Sequence, residues 1–423
     1  MNQKTLIGLA VAALVAIVVA VVVNHSRQPQ SESGGVDTET SYLVPGLRDH
    51  VNDVDKLVLT GAENKPIATL TRGADGWTLA EKGNYAADTG KLRELLLKLA
   101  DAKILEEKTS NKDKYETLGV EDLAGKDAKG VQIELGGLGQ PVKLIVGNAN
   151  TRGGTFVRRA GEARSWLVSA SLNVDKKAEN WLRKDVVDVQ ANRIASVTVT
   201  HPDGKTVRVA KEDEGDANFK LADIPKGREV SSEYAVNGLS STLANLRFDD
   251  VLPAKDAAPG DKPLKARYAT FDGLVVDVVA WEKDGKHYAQ LSASVDSEQA
   301  GKHIEAQQAK AKADYESKLA EHKNASAADA EKPAEGSAPA ETKADSAEPP
   351  KPPEVADPAK DREEKLAAIE KEAADLNARV KDWTYVIPAY KYANIDKSMD
   401  DLLKPVEKKE RSGKKSKSAK SDD

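Results

Sequence analysis

The chain has 423 residues, enough for two or three domains at about 150 residues each. Its 63 Lys and Arg against 69 Asp and Glu leave a net charge of −6, too even for a generic nucleic-acid binder, so no nucleic-acid partner is expected. Cysteine is absent, which excludes a disulfide scaffold, thiolate metal sites, a cysteine nucleophile and a lipid-modified cysteine.

Leu6 to Val23 form an unbroken run, LIGLAVAALVAIVVAVVV, apolar apart from Gly8. As a helix it would reach about 27 Å, near the hydrocarbon thickness of a bilayer. No A-x-A pattern closes it; Val21, Val22 and Val23 stand there instead. Residues 1–27 therefore read as an uncleaved signal anchor, a single transmembrane helix. Lys4 and the terminal amine before the span favour an inside N-terminus. The expected location is the bacterial inner membrane, with the C-terminal body in the periplasm or outside. Residues 28–45 are polar, carry Gly34-Gly35 and read as a flexible tether.

The body repeats itself. One copy, 46–190, opens VDKLVLTGAENKPIATLTRGADGWTL from Val54; the other, 191–296 plus 383–403, opens IASVTVTHPDGKTVRVAKEDEGDANFKL from Ile194. Each reads as strand, turn, strand, charged turn and a short strand led by an aromatic, Trp77 or Phe219. An amphipathic helix is predicted next in both. Its apolar stripe is Leu92, Leu95, Leu96 and Leu99 in one copy and Val236, Leu239, Leu243 and Leu246 in the other. Hairpins follow, and WTYVIP from Trp383 parallels SWLVS around Trp166. Trp77, Trp166 and Trp383 are expected in the cores.

Residues 297–382 interrupt the second copy. The middle, Glu331 to Pro358, has seven prolines among Ala, Glu, Lys and Ser and reads as a disordered linker. Both flanks read as helix, which predicts an inserted helical hairpin with a disordered tip. Leu366, Ile369, Ala373, Leu376 and Val380 are spaced as a heptad seam. Leu366, Ile369, Leu376 and Val380 are thus the candidate partner-binding face. Because loop closure costs only about 0.6 kcal/mol per doubling of length, the insertion is expected to be removable with little change in stability. Residues 404–423, with eight basic and four acidic side chains, read as a disordered basic tail.

Searches for chemistry return little. Gly204-Lys205-Thr206 lacks the first glycine of a phosphate loop, Val199 standing there, and HPDGKT reads as a hairpin turn. Gly136-Gly137-Leu138-Gly139 precedes a strand, whereas a dinucleotide loop precedes a helix. No pair of histidines has the spacing of a helical metal site. Gly238 to Thr242 lies within a predicted helix, not on a nucleophile elbow. No catalytic, cofactor-binding or metal-ligating residue is predicted, so no enzyme and no cofactor are expected.

Gly76-Trp77-Thr78-Leu79, Tyr115 with Leu118-Gly119-Val120, and Leu144-Ile145-Val146-Gly147 succeed one another along the chain. Phe156-Val157-Arg158, Trp166-Leu167-Val168 and AENWLRKDVVDV from Ala178 continue the order. This succession resembles a bacterial family catalogued as a domain of unknown function, number 4340. The resemblance implies a membrane-anchored extracytoplasmic protein, often encoded near gliding-type ABC transporters; it brings no catalytic residue. Where that family has Tyr-Gly-Leu followed by Pro, Glu-Thr-Leu separates Tyr115 from Gly119.

The expected fold is α+β: an N-terminal transmembrane helix, then two repeated modules of antiparallel sheet plus packed helix, the second interrupted by the insertion. The expected function is a non-catalytic, membrane-anchored accessory protein offering binding surfaces to an envelope protein partner, with ABC transporter subunits the named class. The alternatives are a module that binds a glycan or peptide in a groove between the repeats and, more remotely, a cell-wall hydrolase.

Overall fold

The structure, a computed structural model, describes residues 42–330 and 357–405, with side chains omitted for 324–330. The anchor Leu6–Val23, the tether up to residue 41, the middle of the insertion and the basic tail beyond residue 405 lie outside the described residues. The last part of the expected tether, 42–45, is not a linker: Leu43 and Val44 are buried and the Leu43 N–H donates to the Ala102 carbonyl, because this apolar pair packs into the first unit. Among the described residues no helix is long and apolar enough to cross a membrane. The described residues up to Thr69, with Gly90–Lys176, form one compact unit; Leu70–Thr89, with Lys177 onward, form another.

Along the chain come α1 (Leu47–His50), β1 (Lys56–Thr60), β2 (Pro66–Gly73), β3 (Gly76–Leu79), β4 (Tyr85–Ala86), α2 (Thr89–Ala100) and β5 (Ile104–Glu107). Then follow α3 (Tyr115–Leu118), β6 (Val131–Gly136), β7 (Val142–Ala149), β8 (Thr155–Arg159) and β9 (Ser165–Val168). In the first unit the strand order is β2-β1-β6-β7-β8-β9-β5. Alternation sets the register: Leu57 and Leu59 of β1 face inward and pair with Leu135 and Ile133 of β6, all four fully buried. The predicted helix is α2, and its stripe Leu92, Leu95, Leu96 and Leu99 is buried.

The second unit contains β10 (Asp185–Val187), β11 (Ile194–Thr200), β12 (Thr206–Ala210), β13 (Lys220–Leu221), α4 (Glu233–Asn237), β14 (Leu246–Arg247) and β15 (Asp250–Pro253). It continues with β16 (Leu264–Thr270), β17 (Leu274–Lys283), β18 (Lys286–Val295), α5 (Ser297–Ala330), α6 (Pro358–Val380), β19 (Trp383–Ile387), α7 (Ala389–Ile395) and α8 (Met399–Leu402). Its main sheet runs β13-β12-β11-β16-β17-β18-β19-β15. From β12 onward this is strand for strand the order β2-β1-β6-β7-β8-β9-β5 of the first unit, so the sequence repeat is also a topological one. Val197, Tyr268 and Val276 stand side by side across β11, β16 and β17, fully buried on one face.

Two expectations need correction. The predicted helix from Tyr234 to Leu246 stops at Asn237. Its stripe is buried as expected, at 1% exposure or less. Beyond Asn237 the side chains of Ser240, Ser241 and Thr242 donate to the carbonyls of Asn237, Gly238 and Leu239, three residues back. Hydroxyls that compete for backbone carbonyls in this way favour tight turns over regular helix. Of the three tryptophans, only Trp166 is buried. Trp77 and Trp383 are half-buried: Arg72 lies over the Trp77 ring, and Trp383 sets its ring edge-to-face with Tyr85.

Residues 297–382 do form a helical hairpin at the described ends, with α5 packed on α6. The hairpin is not a detached arm, however. Helix α6 packs along β18, burying Ile369, Ala373, Leu376 and Val380, while Ala300 and Ile304 bury the root of α5. Strand β18 pairs with β19 only over His287–Ala289. Farther along, the Asn377 amide donates to the Ala293 carbonyl (2.7 Å) and accepts from its N–H (2.8 Å), as a neighbouring strand would. At the β16–β17 turn Gly273 has φ +93°, and a Cβ there would meet Ala300 Cβ at 2.7 Å, so only glycine lets α5 start this close to the sheet.

Candidate functional site

Some of the residues that carry the family resemblance, Tyr115, Leu118, Val120, Ile145 and Phe156, gather in one cluster of the first unit. Gly119 takes φ +70° to end α3, and a Cβ on Gly147 would lie 2.3 Å from the Leu118 carbonyl oxygen. Arg158, 3% exposed, lays its guanidinium over the Tyr115 ring, donates through Nε to the Val120 carbonyl (2.7 Å) and pairs with Asp122. Tyr115 donates to the Ala163 carbonyl. Through these contacts Arg158 and Tyr115 tie the backbone at Val120 and Ala163 to the cluster.

In the second unit, Arg193 at the mouth of β11 makes a two-pronged contact with Glu372 of α6, both bonds 2.7 Å, and a 2.8 Å bond to Asp272. The Glu372 contact, outweighing burial, raises the pKa of Arg193. Burial alone would push the Asp272 carboxyl up, but the Thr270 hydroxyl and the Arg193 guanidinium outweigh it and hold the pKa below the ordinary 3.8. A carboxylate with a depressed folded-state pKa stabilises above its unfolded value, and that stability is lost as pH falls through the folded one. Between about pH 5 and about pH 2 the melting temperature should therefore fall more steeply in the parent chain than in Asp272→Asn, which starts lower at neutral pH. Calorimetry across that range checks this; parallel curves would show that Asp272 takes no part.

Lys391 is the least expected polar residue. It lies on α7, 6% exposed, and its ammonium donates to the carbonyls of Ser241 (3.1 Å), Thr242 (3.0 Å) and Ala244 (2.6 Å). Burial pulls its pKa below the ordinary lysine value, against the charge of Asp188. Its three donors are used on the irregular turn that replaces the predicted helix. A lysine in the short stretch AYKYANI carries no sequence signal for this role.

The candidate partner-binding face is largely inside the protein. Ile369, Leu376 and Val380 are buried at 9%, 3% and 1% exposure against the chain's own sheet, and Leu366 is half-buried. The open helical surface lies on α5 instead. Gln308 bonds to the carbonyl of Pro358, the first residue of α6, and to Asp361. Helix α5 then continues through residue 330, roughly 33 Å farther at 1.5 Å per residue. Ala311, Tyr315 and Leu319 are half-buried at four-residue spacing and line an open groove of about 610 Å³ with Gln308 and Pro358. The stripe of Ile304, Ala311, Tyr315 and Leu319 is legible in the sequence but weak, because glutamines interrupt it. Among the described residues no three His, Asp or Glu are grouped to hold a metal ion.

Residues 77–266 match the family model described as Domain of unknown function (DUF4340). No curated protein and no solved structure is significantly similar to the chain.

Proposed function

For a chain whose residues 77–266 belong to the DUF4340 family, we propose the role of a non-catalytic accessory protein, anchored in the bacterial inner membrane by Leu6–Val23, with its body outside the cytoplasm. It offers helical surface to an envelope protein partner, a subunit of a gliding-type ABC transport complex. The supporting observation is the α5 stripe of Ala311, Tyr315 and Leu319, which outruns the start of α6 and lines an open apolar groove. A helix laid in such a groove would be held by apolar anchors at helical spacing.

The test is made in intact cells with a reporter fused after Asp423 and a photo-cross-linker at position 315. The reporter should be active only in its extracytoplasmic form, and the cross-linker should trap a membrane transport subunit. Leu319→Asp should abolish that adduct without shifting the melting temperature, since the side chain makes no part of the packed core. An active cytoplasmic reporter would overturn the anchor reading. No adduct at 315, or one insensitive to Leu319→Asp, would overturn the docking role.

A further inference from the structure

A second concave site lies wholly within the second unit, where the turn after α4 faces the start of β11 and the loop after α7. It is a cleft of about 380 Å³, within the usual range for small-ligand sites. Two lysines line it, and among its described lining residues there is no Asp or Glu. Lys397 donates a 3.2 Å bond to the Ala235 carbonyl, and the Lys211 ammonium stands 5.0 Å from the centre of the Phe219 ring. Neither contact is with a carboxylate. The acids that act on these lysines stand outside the lining: Asp216, which accepts from the N–H groups of Glu212 and Asp213, acts on Lys211 through its charge, and Asp401, bonded to Ser398, acts on Lys397.

The remaining walls are suited to hydroxyls and to a ring. Asn394, which bonds weakly to Ser241 at 3.5 Å, and the exposed Asn192 contribute amides. Tyr234 is 86% exposed although its neighbours Val236 and Leu239 are fully buried. A large aromatic side chain held at the edge of a cleft, on a helix whose opposite face is anchored, is placed to cover the apolar face of a ring.

We propose that this cleft binds one acidic sugar residue, its carboxylate facing Lys211 and Lys397, its hydroxyls facing Asn192 and Asn394, and its ring face against Tyr234. Ammonium groups in a partly enclosed cleft that contains no carboxylate favour an anion. The amides and the aromatic edge distinguish a sugar acid from a bare carboxylate, because each adds contacts that acetate cannot make. The site does not depend on the α5 groove.

The experiment titrates the purified full-length chain in detergent with glucuronate, glucose and acetate, followed by calorimetry and ligand-observed NMR. Glucuronate should bind saturably, about tenfold more tightly than either glucose or acetate. Tyr234→Ala should weaken it about five-fold, the value of one exposed ring contact. Lys211→Met should reduce glucuronate to the level of glucose. Lys397 also holds a backbone carbonyl, so Lys211→Met and Tyr234→Ala, each checked for an unchanged melting temperature, carry the result. Equal binding of acetate and glucuronate would reduce the cleft to a nonspecific anion site and overturn the proposal. So would the absence of saturable binding, or Tyr234→Ala binding like the parent chain.

Discussion

Replacing Glu298–Val380 by a short Gly/Ser turn is expected to unfold the second unit. The entropy of joining neighbouring strand ends is a minor term, about 0.6 kcal/mol per doubling of loop length. Apolar burial dominates. Ile304, Ile369, Leu376 and Val380 are buried on the segment that would be lost. At roughly 1.5–3 kcal/mol per buried side chain the gross loss is about 6–12 kcal/mol, offset in part because the two helices no longer need ordering. That is comparable with the whole stability of a domain, about 5–15 kcal/mol. The replacement would also remove Glu372 from Arg193 and Asn377 from β18. Differential scanning calorimetry should find the second unit's transition lowered by tens of degrees or absent. A transition within a few degrees of the parent would show that the insertion is separable after all. Leu376→Ala alone, costing about 2–5 kcal/mol, gives the same answer in a variant that still folds.

Lys391→Met is the second large effect. Methionine nearly reproduces the stem, so what is lost is the ammonium and its bonds to three carbonyls. A buried carbonyl left without a donor costs about 1–3 kcal/mol. With three at stake, one of them at fully buried Thr242, the expected loss is about 3 kcal/mol or more. For a unit of this size that lowers the melting temperature by roughly 6–12 °C. Lys391→Arg should recover little of it, because a planar fork cannot converge on three carbonyls as a tetrahedral ammonium does. A thermal midpoint within about 2 °C of the parent for Lys391→Met would mean that water already serves those carbonyls.

Much of the architecture was legible in the residues. Alternation at Leu57 and Leu59, or at Val197 and Val199, marks strands whose inward faces are buried as the pattern requires. The doubled order of strand, hairpin and aromatic-led strand yields two sheets of matching topology. Where the reading departed from the fold, the pattern was ambiguous in a specific way. Val236, Leu239, Leu243 and Leu246 have helical spacing, yet a chain of tight turns buries the same positions when hydroxyls at 240 to 242 take the carbonyls. The seam of α6 was recognisable as an apolar stripe, but periodicity states only that a face will be covered. Its cover is β18 of the same chain, a contact set by tertiary topology. The cleft around Tyr234 brings together residues from positions 191 to 397, which no local window connects.

Asn377 bears on what happens when two copies of the protein meet. Past Ala289, β18 has no neighbouring strand on the β19 side among the described residues, and an unpaired margin is the place where sheets of separate molecules fuse into growing aggregates. One carboxamide, projecting from a helix, takes the donor and the acceptor of Ala293 and leaves an incoming strand without a foothold. The insertion thus returns to the sheet as a stopper. Lengthening the segment between the two helices would leave this contact in place, because Asn377 sits on the returning helix.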